Sequence, residues 1–357
     1  MFPFTLVVVS TDISWRTEEF RSLVEQYFPV DAVWSDGGRP AFTVRLPQDS
    51  KERFLRLRAK LDPMGYLPVL RRRDGVTVLG LSPRPPRSQW RWQVNLALFL
   101  ATIGTTLFAG YYFTIPLVAR GLMGSAWAGG VAFSLCLMLI LVTHEMGHKI
   151  VSILRGIDAS YPYFVPMVPP FGTMGALIVT RTPAPNRDAL MELGASGPIA
   201  GFLVAIPVLI AGIKLSFVIP PTLPVTVVPD PLLVQLLTPL LRPMEANLLM
   251  HPVFFAGWIG LLVTSINLLP ASMLDGGHAV RALFGARIHQ VLSFVAIAIA
   301  VAFGYWPMAI LILLLSRRGH PGPLDDVSPT SRSRAVLGAV LLAVFILSAV
   351  RFPVFGF

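Results

Sequence analysis

Long uninterrupted apolar runs alternate along this chain with short polar segments rich in arginine and proline. Runs at about residues 94–118, 126–151, 193–219 and 252–269 are each long enough to cross a bilayer as a helix. Residues 288–303 and 306–315 read as two shorter apolar legs around Gly304-Tyr305-Trp306-Pro307. They suit a thin transmembrane hairpin better than one long broken helix. Residues 335–350 form a last span. The pattern predicts a multi-span α-helical membrane protein with about six to seven transmembrane helices. Between 156 and 192 the chain is too polar and proline-rich to span, and residues 161–182 read as a membrane-associated β-hairpin.

Residues 1–88 have a different texture. Thr5 to Val9 reads as a buried strand, followed by a helix with Phe20, Leu23, Val24 and Tyr27 on one stripe. Strands at 30–34 and 42–46 flank Asp36-Gly37-Gly38. A second helix covers 51–61, and strands at 66–70 and 76–79 flank the hairpin signal Asp74-Gly75. This order predicts a soluble, ferredoxin-like α/β domain. Residues 1–82 contain no histidine and no cysteine, so the segment is expected to fold separately and to modulate access, partner choice or assembly. The remainder divides into a core at 89–316 and, at 317–357, a polar loop with a final span.

Composition narrows the class. Hydrophobic residues make up 54% of the chain and charged residues 13%, which excludes an ordinary soluble domain. The single cysteine, Cys136, lies within an apolar run, so no disulfide framework is built. A net charge of +10 is compatible with nucleic acid, but the placement of the charge argues against that partner. Arg84, Arg87, Arg91, Lys149, Arg155, Arg181, Arg187, Arg281, Arg287, Arg317 and Arg318 fall on one side of the predicted spans, against Arg120 and Arg242 on the other. This is a positive-inside distribution; it predicts a prokaryotic cell membrane with the N-terminus in the cytosol. Met1 to Ser10 lacks a basic start and a small-residue cleavage site, so no signal peptide is expected.

One apolar run carries chemistry. Residues 137–148 read as a helix ending in His144-Glu145-Met146-Gly147-His148. Histidines four apart lie one above the other on a helix face and can grip one zinc ion from the same side. Glu145, next to the first of them, is placed to act as general base. From His144 to the helix end near Arg155 is about ten residues, roughly 15 Å, so the site lies at membrane depth. Ionisable groups there are costly and point to function. A catalytic zinc usually takes three protein ligands. The third is sought in residues 267–278, where Pro270 breaks a helix, Gly276 and Gly277 allow close approach, and Asp275 and His278 compete as ligand.

The His-Glu-x-x-His run together with Asn267-Leu268-Leu269-Pro270-Ala271-Ser272-Met273-Leu274-Asp275-Gly276-Gly277 resembles the site-2 proteases, intramembrane zinc metalloproteases. Residues 171–176 and Ala195-Ser196-Gly197-Pro198 add to the likeness, which covers about 94–316. The resemblance implies one zinc held by His144, His148 and Asp275, with Glu145 as catalytic acid/base. It assigns substrate contacts to Asn267, Pro270 and Gly276, and to Gly172 and Gly175, which suit pairing of an extended substrate along the hairpin edge. The implied substrates are membrane-anchored proteins, cut within or beside a transmembrane segment. Two other classes share some of these features. A divalent-metal transporter needs ligands at successive depths, whereas these converge at one depth and give Glu145 no role. A silent relative that only binds membrane partners does not need Glu145.

Overall fold

The computed structural model describes residues 15–86, 91–219, 229–242, 248–302, 306–316 and 319–350. The expected strand at Thr5 to Val9 lies outside them. The chain divides into two compact units, and the first is assembled from three separated pieces: residues 1–87, Thr182–Arg187 and Pro321–Thr330.

In the first unit α1 (Trp15–Glu25), β1 (Val30–Asp36), β2 (Arg39–Val44), α2 (Ser50–Leu61), β3 (Tyr66–Arg73) and β4 (Val76–Pro83) follow in order. Gly37 and Gly38 turn β1 into β2 with positive φ of 58° and 79°, and Asp74 and Gly75 do the same between β3 and β4. The sheet runs β1-β2-β4-β3, all antiparallel. Phe20, Val24, Phe28, Phe42, Phe54, Leu57 and Leu79 pack between sheet and helices. This departs from the ferredoxin-like expectation. A split β-α-β reserves a place beside β2 for the first strand. Here β2 has β1 on one side and β4 on the other, because the tight Asp74-Gly75 turn folds β4 back between β3 and β2.

The outer edge of β3 is covered by the other two pieces. The Leu70 amide donates to the Leu324 carbonyl at 2.9 Å, and the Asp326 amide donates to Leu70 O at 3.2 Å. Leu324 and Asp325 donate in turn to Ala184 O and Pro185 O, at 2.8 and 3.0 Å. An edge strand leaves a row of unpaired polar groups, and these short segments satisfy them. Leu324 is 3% exposed and belongs to the core of this unit, while Asp325, fully buried, accepts the amides of Val327 and Ser328. The expected polar loop at 317–334 contributes residues 321–330 to the first unit. Truncation near Pro83 leaves these pieces without their core. We expect Leu324→Ala to cost about 2–4 kcal/mol locally. In the intact chain this should read as faster hydrogen exchange at the Leu70 amide. Unchanged exchange there would remove Leu324 from the core.

The second unit holds four helices long and apolar enough to cross a membrane: α3 (Trp92–Ala119), α4 (Ala126–Leu154), α5 (Arg187–Leu215, from Asp188 in this unit) and α8 (Asp275–Ala302). Shorter helices are α6 (Leu232–Leu241), α7 (Pro252–Asn267), α9 (Trp306–Ser316) and α10 (Arg332–Ser348). The predicted leg at 288–303 is the end of α8, which is 28 residues long and breaks at Gly285, where φ is 83°. α9 packs against α8. Between α4 and α5 lies the expected hairpin, β5 (Tyr163–Pro166) paired with β6 (Thr173–Leu177). Asn95 of α3 donates to the carbonyls of Tyr161 and Pro162 and holds its start. Glu192 of α5 pairs with Arg155 at the end of α4 and with Arg334 of α10. The Ser331 amide and hydroxyl both donate to Asp188.

Candidate metal centre

The helical spacing of α4 stacks His144 and His148 on its buried face, 3% and 8% exposed. Asp275 is the first residue of α8, and its carboxylate meets both imidazoles. His144 Nε2 lies 3.2 Å from Asp275 Oδ2, His148 Nε2 3.3 Å from Oδ1, and the two Nε2 atoms are 3.2 Å apart. Among the described residues these three form the group able to hold a metal ion.

The donor set and its spacing fit zinc. Bonds of about 2.0–2.1 Å in a tetrahedron give ligand-to-ligand edges of about 3.3–3.4 Å. The two imidazole nitrogens stand 3.2 Å apart and each lies 3.2–3.3 Å from a different oxygen of the Asp275 carboxylate, close to those edges. The tautomer agrees: His148 Nδ1–H donates to the Leu193 carbonyl at 2.8 Å, which leaves Nε2 with its lone pair toward the set. Glu145, 5% exposed, is buried in the same helix turn, within electrostatic reach of all three.

Glycines bring the helices this close. A Cβ on Gly197 of α5 would lie 2.1 Å from His148 Nε2, and one on Gly201 would lie 3.1 Å from His144 Cβ and Nδ1. A Cβ on Gly194 would meet Asp275 O at 2.6 Å, and one on Gly147 would meet Ser196 O at 2.5 Å. One edge of α5 is therefore the wall against which both ligand-bearing helices rest. Its ligand-positioning role is not evident from the sequence, because glycine in an apolar helix carries no chemical signature; the spacing 194, 197, 201 along one face is the trace it leaves.

Asp275 is positioned by the turn before it. Gly276 and Gly277 have no room for a side chain, since a Cβ would meet Leu268 O at 2.1 Å and Ser272 O at 2.4 Å. Gly276 thus admits the chain's own backbone. Ser272 sits at φ 51° and is held from α8: its amide donates to Ser293 Oγ, and His289 Nε2–H donates to its carbonyl, both at 2.9 Å. Neither Ser293 nor His289 belongs to a motif. His278, the rival ligand, lies with its Nδ1 2.7 Å from His320 Nε2 and is not in the ligand group.

Of the remaining residues, Asn267 ends α7 with Nδ2 3.4 Å from His144 Nε2. Pro270 is half-buried in the turn that leads to Asp275. Gly172, at φ 75°, packs on the backbone of Thr105 and Thr106, and Thr105 Oγ1 donates to its carbonyl at 2.7 Å. Gly175, at φ 93°, has nothing within 4 Å of where a Cβ would be. The hairpin glycine with space beside it is therefore Gly175.

The profile of peptidase family M50 matches residues 132–313, a stretch that contains both motifs. The chain is 26% identical over 294 residues to the protein named probable zinc metalloprotease EGY1, chloroplastic, of Arabidopsis thaliana, covering 74% of this chain and 54% of that one. It is 28% identical over 286 residues to probable zinc metalloprotease EGY2, chloroplastic, of Oryza sativa subsp. indica, covering 73% and 50%. The chain spans about half the length of these curated relatives. No solved structure matches it significantly. The relatives are chloroplastic plant proteins, and that overturns the placement in a prokaryotic cell membrane with a cytosolic N-terminus. Arginine bias tells one side of a bilayer from the other but does not name the bilayer. With half of its length covered by the profile and the His-His-Asp set assembled within it, the chain belongs to peptidase family M50, the site-2 protease family.

Proposed function

We propose that this chain is a zinc metalloendopeptidase that hydrolyses a peptide bond within or beside a transmembrane segment of a membrane-anchored protein. The observation that carries the reading is the convergence of His144, His148 and Asp275, whose imidazole nitrogens and carboxylate oxygens approach to 3.2–3.3 Å, with Glu145 buried beside them between long apolar helices. One compact ligand set suits catalysis; a transport path needs successive ones.

His144, His148 and Asp275 would hold the metal. Zinc, when bound, supplies a Lewis acid that activates water and polarises a carbonyl. Glu145 takes a proton from the attacking water and returns it to the leaving nitrogen, the two halves of general base and acid work by one carboxylate. The Leu193 carbonyl holds His148 in the ligating tautomer throughout. A helical substrate hides its scissile carbonyl in its own hydrogen bonds, so it must unwind first. The β6 edge at Gly175 offers an extended partner, and the Asn267 amide is placed to hold a substrate carbonyl beside His144. Pro270 and Gly276 act indirectly, by shaping the Asp275 turn. In this reading α7 and α10 join the four long helices as spans.

The test uses the full-length chain in detergent with a membrane-anchored reporter whose transmembrane segment carries helix-breaking residues. Cleavage should map to that segment, stop on chelation and return on adding zinc. Chelator-resistant cleavage would overturn the reading.

A further inference from the structure

The first unit has a second face. Alternation along the strands sends Phe42, Leu70 and Leu79 to the helices and the neighbouring residues to the opposite side. That side holds a cleft of about 440 Å³, within the size range of small-molecule sites. Its floor is small and apolar: Ala41, Val69, Val78 and Gly80. A Cβ added at Gly80 would meet nothing within 4 Å, so the space above the floor is open. Three arginines, Arg39, Arg71 and Arg73, and one acidic residue, Asp36, also line the cleft.

The three arginines are held differently. Arg71 is anchored: its Nη1 donates to Leu70 O and Leu324 O at 3.0 and 2.8 Å, and its Nη2 donates to Pro321 O at 3.3 Å. Arg73 Nη1 donates to Asp36 Oδ2 at 2.9 Å in a pair whose side chains are 46% and 51% exposed, so this contact is weak and exchangeable. Arg39 has no ion pair among the described residues. Three formal positive charges thus face one negative charge around an apolar floor.

We propose that this cleft binds a phosphoryl group carried on a flat or apolar body. Guanidinium forks match phosphate oxygens two at a time, and a dianion offers more acceptors than a single carboxylate. The floor receives the body, for which inorganic phosphate alone is too small. An incoming phosphoryl group displaces Asp36 from Arg73, bridges Arg73 and Arg39, and takes up a position beside the fixed Arg71. The chemistry is shared by a soluble nucleotide and by a lipid headgroup, and the experiment separates the two. This site is independent of the proposed protease reading, since all of its residues lie in the first unit.

The full-length chain in a neutral detergent is titrated calorimetrically with AMP and, in a second arm, with short-chain phosphatidic acid. Saturable binding in the AMP arm identifies a soluble phosphate ligand; binding in the phosphatidic acid arm alone identifies a headgroup. In the arm that binds, the double variant Arg39→Gln/Arg73→Gln should weaken affinity about tenfold or more, the loss of charged hydrogen bonds. Asp36→Asn should tighten it several-fold, about 1 kcal/mol or less, by removing the competitor. A structural role for Asp36 would have the opposite sign. No saturable binding in either arm overturns the proposal, and so does binding unaffected by the double variant.

Discussion

Glu145→Gln should retain zinc and lose cleavage by about a hundred- to ten-thousand-fold, the usual weight of a positioned general acid and base. The side chain is almost the same size and keeps its place on α4, so the three donor atoms of His144, His148 and Asp275 are undisturbed. Only the ability to accept a proton is gone. Asp275→Ala is the complementary variant. It removes one of three donors and leaves two imidazoles on one helix face, and its zinc affinity should drop by more than about 100-fold, the upper end of what losing a supporting hydrogen bond costs. Metal content after dialysis and reporter cleavage, measured together on both variants, separate the two roles. A Glu145→Gln protein that has lost its metal would make Glu145 a ligand, and a fully loaded Asp275→Ala protein would take Asp275 out of the set.

Gly197→Ala is expected to be nearly as damaging as the loss of a ligand, although residue 197 touches neither metal nor substrate in the proposed mechanism. The new methyl would lie 2.1 Å from His148 Nε2 and 2.5–2.6 Å from the adjoining ring carbons. Either the imidazole swings away or α5 retreats, and a displacement of about 1 Å at such a centre is worth about a hundredfold in rate. Helix propensity acts in the other direction, since alanine is favoured over glycine by about 1 kcal/mol in a helix interior. A loss therefore reports the contact and not the helix. Gly201→Ala supplies the internal scale: its methyl meets His144 at 3.1 Å, a distance that a small shift relieves. The expected order is wild type, then Gly201→Ala, then Gly197→Ala, in zinc retained and in cleavage alike. The reverse order would show that α5 does not position the ligands.

The two motifs were legible because their chemistry is local. His144 and His148 are four residues apart on one helix, and the Asp275 turn carries its proline and glycines in one short run. What supports them is not local. Leu193, whose carbonyl sets the His148 tautomer, is one apolar residue among many. Ser293 and His289 hold the Asp275 turn from the far part of α8. Spacing alone left Asp275 and His278 as rivals, because three residues on a helix bring both to nearly the same face; the family resemblance favoured Asp275, and the structure gathers Asp275 with the two histidines. The long apolar helices were read from hydrophobicity, yet the kink inside α8 at Gly285 was not, since one glycine at positive φ bends a helix without a proline to announce it. In the first unit the hairpin turns and amphipathic helices were plain. The sheet order was not, because strand neighbours are chosen by long-range packing. Leu324 was read as loop for the same reason: an isolated leucine among prolines and aspartates has no periodicity to reveal that it is core.

The sheet of the first unit also sets a timetable. Arg71 and the carbonyl it grips in Leu324 are 253 residues apart. At about 5–20 residues per second, a ribosome that has finished β3 needs roughly 10–50 s before the segment that completes its edge exists. The α/β unit is therefore begun before the helices of the second unit and finished after α3 to α9. Until then β3 presents a bare edge, and a nascent chain in that state is a natural client for a chaperone. Closure of the edge can occur only after α3 to α9 have been synthesised, so a completed first unit certifies that all of these helices have been translated.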